Sequence, residues 1–483
     1  MAAFGHAVEP GFSAMPVLAE NAATAVTAAP AGVRAETPVG DIQRVRPALS
    51  RSSDVSPNGP PIVLDVSRLL SRAGRETPTG IDRVELAYAQ HLIASDAPLS
   101  FAASDAAGRL GLLPRQAAGR YIAALAAGWR GDGASPSPGL RQKQLALRLR
   151  LGLFVGGRHA LRSRLGAGAE PPVYLLVSHY RLESRRALAR LKGCGGTRLV
   201  CLVHDLIPIE FPEYAKPGQD RRHRQRIETA AALGDAIIAG SSAVGDAFRP
   251  YLKRAGRAPP VLVAPFGWQL PASAPGARPD RAENCAPPYF VCVGTIEARK
   301  NHLLLLNLWR RLAAELGPSA PRLVLAGQRG WLTQNVIDML ERCPALRGLV
   351  IERNTLPDAE MARLLCGARA LLLPSFAEGF GFPVIEALAL GVPVLCSDLS
   401  ALRETGGAVP DYLDPLDGSG WRAAILDYAA PQSPRREAQL RRLTGWRPAR
   451  WEDHFAAVRR LLAQLTGSVG AGPPAERHPP RGS

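Results

Sequence analysis

Short runs of apolar residues alternate along most of this chain with segments in which apolar residues recur every three or four positions. Such runs are typical of strands buried on both faces of a parallel sheet, and the recurring positions are typical of amphipathic helices. Several runs, among them PIVLDV, TRLVCLV and YFVCV, are followed directly by polar or glycine-rich residues. The alternation of strand and helix therefore predicts an α/β fold built on parallel sheets.

The stretch Ala370–Ser397 gives the clearest unit of this kind. An apolar run ends at Pro374, a glycine-rich turn follows, and the pattern predicts a helix from about Pro383 to Gly391 before a second apolar strand, VPVLCS. Proline suits the first position of a helix, and glycine suits its end. Because the turn follows a strand and precedes a helix N-terminus with free N–H groups, we expect an anion to bind there.

Two glutamates frame this turn. Glu378 lies within it, and Glu386 follows eight positions later in the first turn of the helix. Gly379 and Gly381 remove Cβ atoms where the backbone would approach an anion, and they permit positive φ. Because carboxylates repel phosphate, the two glutamates are interpreted as acceptors for sugar hydroxyls. The alternative is that Glu386 complements the helix dipole and Glu378 is solvated.

The segment EGFGFPVIEALALGVPV resembles the E-x7-E signature of the family 4 retaining glycosyltransferases, whose GT-B fold consists of two facing Rossmann-like domains with a cleft between them. The resemblance implies that Glu378 contacts hydroxyls of the donor sugar and takes part in catalysis. It implies that Glu386 binds the nucleotide ribose. The residues of the turn implied to bind the donor diphosphate are Gly379, Phe380, Gly381 and Phe382.

Two further elements of the second half resemble donor-binding loops of the same family. GTIEARKN resembles the loop whose basic residues neutralise the diphosphate, which assigns Lys300 first and Arg299 second to catalysis; Thr295 stands where many members carry Arg. The resemblance also implies that the loop containing Asn354 and Leu356 flanks the nucleotide base, mainly through backbone groups.

The first half carries two candidate site elements, each at the end of a predicted strand. HDLIPIEFPE resembles the H-D element of a subgroup rich in mannosyl- and rhamnosyltransferases, which implies that His204 lies near the reacting centre. A structural histidine is the alternative, and His179 is a weaker candidate. In the loop before the predicted helix TPTGIDRVELAYAQHL, the acceptor-side candidates are Gly80, Asp82 and Arg83, with an ordinary β-α turn as the alternative.

The chain length of 483 residues favours two domains. Composition and the resemblance together predict the following organisation. The segments are a disordered N-terminal segment (1–60), an acceptor-side Rossmann-like domain (61–270), a Pro- and Ala-rich linker (271–288), a nucleotide-sugar-binding Rossmann-like domain with a terminal crossover helix (289–466) and a disordered tail (467–483).

The net charge of +17 suggests an anionic partner, and the acid-free basic stretch Arg141–Arg164 is its most concentrated source. The leucines from Leu145 to Leu153 alternate with period two, so the pattern does not settle whether this stretch is helical. Contact with an anionic membrane surface is one interpretation, and a solvated basic face is the other. The seven cysteines show no paired spacing, and no signal peptide or membrane span is evident, so we expect a cytoplasmic protein or one peripheral on the inner membrane face.

The resulting prediction is a retaining transferase that moves a hexose from a nucleotide-diphosphate sugar, GDP-mannose favoured, to a glycan or polyprenyl-linked glycan acceptor in bacterial-type polysaccharide assembly. The family implies a front-face route in which the leaving phosphate accepts the acceptor's proton. No D-x-D motif occurs in a suitable loop, so no metal or other cofactor is expected to be required. The alternatives are a GT-B sugar-nucleotide epimerase and a basic nucleic-acid-binding protein, although the basic stretch lacks the aromatic interleaving of the latter.

Overall fold

The computed structural model describes residues 60–105, 107–130, 138–167, 170–269 and 288–467. Apart from their boundary residues, the predicted disordered segments 1–60 and 467–483 and the predicted linker 271–288 lie outside the described residues. The two sheets described below belong to one compact unit of the chain.

Within the described residues, the first sheet is almost entirely parallel. Its strands are β1 (Ile62–Asp65), β2 (Leu99–Ser104), β3 (Leu110–Leu113), β4 (Val173–Leu176), β5 (Arg198–Val203), β6 (Ala236–Ala239) and β7 (Val261–Val263). Their spatial order is β3-β2-β1-β4-β5-β6-β7, and only β3 runs antiparallel to its neighbour. The accompanying helices are α1 (Ser67–Ser71), α2 (Gly80–Ala94), α3 (Arg115–Arg130), α4 (Pro138–Gly152), α5 (Arg158–Gly166), α6 (Arg185–Lys192), α7 (Ile207–Glu210), α8 (Gln219–Leu233) and α9 (Ser242–Arg254).

The second sheet is parallel throughout. Its strands are β8 (Tyr289–Val293), β9 (Arg322–Ala326), β10 (Val350–Arg353), β11 (Leu371–Leu373), β12 (Val394–Ser397) and β13 (Asp411–Leu413), in the spatial order β10-β9-β8-β11-β12-β13. Its helices are α10 (His302–Leu316), α11 (Gln334–Arg342), α12 (Asp358–Cys366), α13 (Phe382–Ala389), α14 (Ser400–Gly406), α15 (Gly418–Ala429), α16 (Pro434–Leu443) and α17 (Trp451–Gly467). When the strands are numbered in chain order within each sheet, the second sheet has the 3-2-1-4-5-6 order of the Rossmann fold. The first sheet has the same order with a seventh strand added at its end.

Each sheet is buried on both faces, as the apolar runs predict. In β1, Leu64 faces one core cluster and Val63 faces the other; in β8, Phe290 and Val291 are divided in the same way. Successive side chains of a strand point to opposite faces of the sheet, so a strand covered on both faces is apolar throughout. The predicted α/β class with two Rossmann-like domains is confirmed.

The final helix, α17, packs against the first sheet rather than the second. Nε2 of His454 is hydrogen-bonded to the Tyr88 hydroxyl (2.7 Å), and Nδ1 of the same ring lies 3.1 Å from the carbonyl oxygen of Ala264. The Phe455 ring meets the Tyr88 ring edge-to-face at 5.1 Å. The chain therefore returns to its first domain after completing the second.

The structure settles details that the sequence left open or predicted otherwise. The basic stretch is helical: α4 buries Gln142, Ala146 and Leu149 at a spacing of three to four residues, and α5 buries Leu161 and Leu165, so the alternating leucines do not mark a strand.

The leucine run of α10 predicts Leu303, Leu304 and Leu306 as inward positions. In the structure Leu306 is buried, Leu304 is partly buried and Leu303 is exposed. The sequence pattern did not predict β2, β3 and β13: β3 and β13 have only four and three residues, and β2 mixes apolar residues with serine.

No helix in the described part of the chain is both long enough and apolar enough to cross a bilayer.

Candidate active site

The candidate site lies where the strand order reverses in the second sheet, between β8 and β11. Ligands bind at such switch points, outside the carboxyl ends of the strands. The loop after β8 carries Arg299 and Lys300, and the loop after β11 carries Glu378. Three predicted site residues separated by almost eighty positions therefore meet at one edge of the sheet.

Glu378 is the centre of a buried ionic network. Its Oε1 accepts from Lys300 Nζ at 2.5 Å and from the Ser375 hydroxyl at 2.7 Å, and its Oε2 accepts from Arg299 Nη1 at 3.1 Å. A second carboxylate, Glu297, pairs with Arg299 at 2.6 Å. Two cations and two carboxylates thus balance one another where a donor diphosphate was predicted.

The side chain of Glu378 is only 7% exposed, so it does not face an open crevice as the sequence suggested. Burial alone would raise the pKa of this carboxyl, but the charges of Lys300 and Arg299 outweigh it and hold the pKa at about 2. Glu378 is therefore ionised at any physiological pH.

The glycines of the turn bring the first domain against this network. A Cβ atom on Gly379 would lie 2.5 Å from the His204 carbonyl oxygen, so only glycine allows this approach. The Gly379 carbonyl accepts a hydrogen bond from the Ser241 hydroxyl (2.9 Å). Gly381 precedes α13 with φ of +91°, a conformation that side chains disfavour. The loop after β5 and the N-terminus of α13 are thus in direct contact.

Glu386 lies in a different setting, facing the first domain from α13. Its pKa is raised by burial, lowered in part by Arg83 and raised again by Asp358. Arg83, from α2, makes a bidentate ion pair with Asp358 at the start of α12, with Nη2–Oδ1 at 2.6 Å and Nη1–Oδ2 at 3.1 Å. The Arg83 guanidinium therefore interacts with two carboxylates of the second domain, by hydrogen bonds with Asp358 and through its charge with Glu386.

A cavity of about 680 Å³ lies beside these three charged groups. Arg83, Asp358, Glu386, Phe382 and Trp451 are among the residues that line it. Its size is within the range of small-molecule sites in proteins.

Phe380 and Phe382 pack into an aromatic cluster that joins the two domains. Phe266, which follows β7, meets Phe380 edge-to-face at 4.9 Å and stacks on Phe382 at 5.7 Å. The Phe380 side chain is buried, and Phe382 also lies against Gly80, where a Cβ atom would be 3.1 Å from the Phe382 ring. In the structure, these two side chains pack against the first domain and so hold the two domains together. Contact between their backbone amides and the donor stays a prediction.

His204 belongs to a buried group of three histidines. Its Nε2 donates to the Val177 carbonyl (2.8 Å), and its backbone N–H donates to Nε2 of His179 (3.1 Å). His223 lies against His179 with ring centroids 4.7 Å apart. Burial lowers the pKa of His204 to about 4, with smaller opposing effects from Val177 and Asp205, so the ring is neutral at physiological pH. His204 positions the loop that contacts Gly379.

Asp82 is fully buried and does not face a ligand. Its carboxylate pairs with Arg68 (2.6 Å) and Arg72 (3.0 Å), and with Thr79 it forms a capping box at the start of α2. The sequence predicted that Asp82 contacts the acceptor. The structure instead buries its side chain, where these hydrogen bonds and ion pairs hold the conformation of the loop. Gly80 is the first residue of α2.

The predicted base-flanking residues lie in the loop after β10. In the amide orientation that satisfies its hydrogen bonds, Asn354 donates to Glu352 Oε1 (2.7 Å) and to the Gly327 carbonyl (3.2 Å). Leu356 is partly buried against the core of the second domain. Both side chains therefore hold the loop, and base contact by its backbone stays a prediction.

Sequence reasoning missed several residues of the site. Asp358 and Glu297 complete the two ionic networks, and Glu404 accepts hydrogen bonds from the backbone N–H groups of Ser242 (2.6 Å) and Ala243 (2.9 Å) at the start of α9 in the other domain. Glu297 lies inside the recognised GTIEARKN element, two positions before Arg299, which was a usable signal. No local pattern indicates the other two contacts, because each joins residues far apart in the sequence.

Among the residues that the structure describes, no three His, Cys, Asp or Glu side chains converge in the manner of metal ligands.

Comparison of sequences finds similarity between this chain and glycosyltransferases. Residues 287–428 match the family described as "Glycosyl transferases group 1". O-antigen chain mannosyltransferase B of Escherichia coli is 29% identical over 259 residues, which cover 53% of this chain and 68% of that protein. Serotype-specific mannosyltransferase WbdA of E. coli is 29% identical over 48% of this chain and 31% of its own length. RfbU of Salmonella typhimurium, an O-antigen chain mannosyltransferase, is 32% identical over 28% of this chain and 37% of its length. The chain therefore spans about a third of the length of these last two relatives.

Solved structures agree on the fold. Sucrose-phosphate synthase from Thermosynechococcus elongatus superposes with a TM-score of 0.55 at 17% identity, covering 85% of this chain and all of that one. Anabaena HepE in complex with UDP-glucose superposes with a TM-score of 0.52 at 14% identity, covering 85% of this chain and 98% of that one. Residues 287–428 therefore match the group 1 glycosyl transferase family, and the described chain has the GT-B fold of these solved structures.

Proposed function

We propose that the chain is a retaining glycosyltransferase of the E-x7-E type that transfers a hexose from a nucleotide-diphosphate sugar to a hydroxyl of an acceptor glycan. The observation that carries this proposal is the network of Glu378, Lys300 and Arg299 at the start of α13, in contact across the cleft with the loop that follows His204. Cations beside a helix N-terminus suit a departing diphosphate, whose negative charge grows in the transition state.

When the donor binds, Lys300, Arg299 and Glu378 replace some of their contacts with one another by contacts with the donor. Lys300 and Arg299 turn their charge toward the diphosphate, and Glu378, which is ionised, accepts hydrogen bonds from sugar hydroxyls. Glu386 binds the ribose, and the cavity of about 680 Å³ that it shares with Arg83 and Asp358 accommodates the nucleoside.

Retention of configuration follows a front-face route in this proposal. Glu378, the carboxylate nearest the site, is bound by two cations and by Ser375, and its low pKa makes it a weak nucleophile and a weak base. The leaving phosphate then accepts the proton of the attacking hydroxyl. The two cations supply the positive charge at the leaving group, so the reaction is proposed to need no metal ion or other cofactor.

Mannose is the favoured sugar, and GDP-mannose the favoured donor. The support is the names of three relatives, two O-antigen chain mannosyltransferases and one serotype-specific mannosyltransferase, together with the HDLIPIEFPE element. The same relatives support polysaccharide assembly as the setting, with a glycan or polyprenyl-linked glycan as acceptor. The protein is proposed to act in the cytoplasm, peripheral to the inner face of the membrane.

A thermal-shift screen against GDP-, UDP-, dTDP- and ADP-sugars tests the donor, because a ligand that binds only the folded state raises the unfolding temperature. Incubation with the stabilising donor and candidate acceptors then tests transfer, with the anomeric configuration of the product read by NMR. An α-linked mannosyl product from α-configured GDP-mannose is expected. Epimerised sugar formed without acceptor would instead identify an epimerase, and an inverted product would refute retention.

A further inference from the structure

The first domain contains a second concave site, remote from the Glu378 network. A groove of about 830 Å³ lies between α5 and α6, above the turn that connects β2 to β3. The leucines of its floor are Leu110, Leu161, Leu165 and Leu191. The floor is therefore apolar although the helices on either side are strongly basic.

Arginines surround this groove. They come from three separate segments and are Arg109, Arg158, Arg162, Arg185, Arg186 and Arg190. Arg109 pairs with Asp105 at 2.7 Å, but the other five form no ion pair with any residue in the described ranges. The one acid on the wall, Glu183, is already bound to Arg226 at 2.8 Å. Guanidinium groups gathered without counter-ions around one depression form a site for an anion, and their planar geometry suits phosphate.

An exposed apolar tip adjoins the groove. Between α4 and α5 the chain bends at Val155 and Gly156, and Phe154 and Val155 project with 61% and 84% of their surfaces exposed. The Arg109 guanidinium lies over the Phe154 ring, 5.8 Å from its centre, so the tip and the basic rim are continuous. Leu147 and Leu151 of α4 are exposed on the same segment.

This combination selects among anionic ligands. A free anion would gain nothing from the apolar floor and tip, whereas an amphiphile carries charge and hydrocarbon side by side, as the protein surface does here. We propose that the groove between α5 and α6 binds the phosphate headgroup of an anionic phospholipid while Phe154 and Val155 enter the edge of the bilayer.

The placement of the groove is consistent with an interfacial enzyme. Gly108 and Ser184 lie at one end of it, and they follow β2 and β4 at the same sheet edge that carries His204. A membrane at the groove would therefore lie beside the cleft on its acceptor side. The proposal does not depend on the transfer chemistry, because lipid binding is measured without donor or acceptor.

The structure also revises which arginines of the basic stretch are available for lipid. Arg150 donates to the Leu70 carbonyl (3.0 Å), and Arg164 donates to the Ser100 hydroxyl (3.1 Å). These two side chains support the fold, so neutralising them would confuse lipid binding with stability.

The test uses the full chain and flotation with vesicles of phosphatidylglycerol and phosphatidylcholine. Wild type should bind these vesicles at low salt and should not bind vesicles of phosphatidylcholine alone. The groove variant R158Q/R185Q/R190Q should bind roughly 100-fold more weakly, at about 1 kcal/mol for each arginine near an anionic surface. Phe154→Ser combined with Val155→Ser should weaken binding by roughly tenfold or more, since buried apolar side chains contribute comparable energies.

The matched control is R310Q/R347Q/R441Q, which removes the same charge from three exposed arginines of the second domain. It should leave flotation little changed, and circular dichroism should find all variants folded. Equal losses in groove and control variants would mean that net charge alone attracts the protein, and the proposal would be wrong. It would also be wrong if the groove arginines supported binding to short duplex DNA but not to vesicles.

Discussion

Glu378 and Glu386 stand eight positions apart in one loop and helix, yet their surroundings differ in origin and in effect. Glu378 is held by Lys300, Arg299 and Ser375, all from its own domain, and its pKa is lowered. Glu386 depends on Arg83 from the other domain, which it shares with Asp358, and its pKa is raised. The first network is complete within one domain, whereas the second is assembled only when the two domains meet.

This difference gives the motif two separable properties. Because all its members belong to one domain, the Glu378 network is expected to keep its geometry when the cleft opens, so we expect a preorganised leaving-group site. The setting of Glu386 is expected to change with closure, because opening would move Arg83 away from it. Substrate capture and domain closure are therefore expected to act on the second glutamate more than on the first.

Removing each carboxylate should have the largest effect. Glu378→Ala and Glu386→Ala should each abolish or nearly abolish transfer, because one loses the sugar contact and the other loses the ribose contact. Only Glu378→Ala should also destabilise the fold, by roughly 3–5 kcal/mol, because it leaves the buried Lys300 without its carboxylate partner, whereas Arg299 keeps its ion pair with Glu297. Steady-state transfer assays and thermal unfolding measure the two effects. Wild-type turnover in either variant would refute the proposed site, and equal loss of stability would refute the contrast between the networks.

Lys300→Ala should lower turnover by roughly 10² or more, as when one preorganised donor to a developing charge is removed. Lys300 is nearly buried beside Glu378, whereas Lys253, at the end of α9, is exposed and serves as the control. Turnover of Lys253→Ala should equal that of wild type. If both lysine variants had the same turnover, Lys300 would have only a structural role.

The two carboxylates should affect stability with opposite signs. The pKa of Glu378 falls from its ordinary value of 4.5 to about 2 in the folded chain, so its charge stabilises the fold above pH 4.5, and this contribution disappears as the pH falls toward 2. The folded-state pKa of Glu386 is raised above 4.5, so its ionisation at higher pH destabilises the fold.

At neutral pH, Glu378→Gln should therefore lower the free energy of unfolding, and Glu386→Gln should leave it unchanged or raise it. Both differences from wild type should shrink in acid, where the carboxyl groups of wild type become neutral too. Urea unfolding at several pH values measures these quantities. A Glu386→Gln variant that is markedly less stable than wild type at neutral pH would contradict this assignment.

The smallest effect concerns Glu404, which caps α9 from the other domain. Glu404→Gln should weaken the two hydrogen bonds to Ser242 and Ala243 and lower the unfolding free energy by roughly 0.5–1 kcal/mol, as for a lost helix cap. Asp398→Asn, at an exposed acid paired with Arg403 of its own domain, gives a control of equal charge change. A change confined to the Glu404 variant is expected, and identical changes would assign the effect to general electrostatics.

The sequence predicted the parts of this molecule whose information is local. The strand, turn and helix of Ala370–Ser397 were readable because proline, glycine and apolar runs each act within a few residues. The pair Arg83–Asp358 was not, because its members are 275 positions apart and nothing in either segment refers to the other. The basic groove was half readable: the stretch that includes Arg158 and Arg162 was evident, but the fold alone brings Arg185 and Arg190 to face it.

The return of α17 to the first domain has a consequence for how the chain is made. Phe455, Val458, Leu461 and Leu462 belong to the same core as Leu64 and Tyr88, although ribosomes synthesise them almost four hundred residues later. Until α17 has been synthesised, the part of the first domain's core that α17 covers stays exposed to solvent. Exposed apolar surface of this kind makes incompletely folded proteins prone to aggregate. A nascent chain stalled or cleaved before Trp451 would carry a complete set of first-sheet strands and still lack the last part of its core.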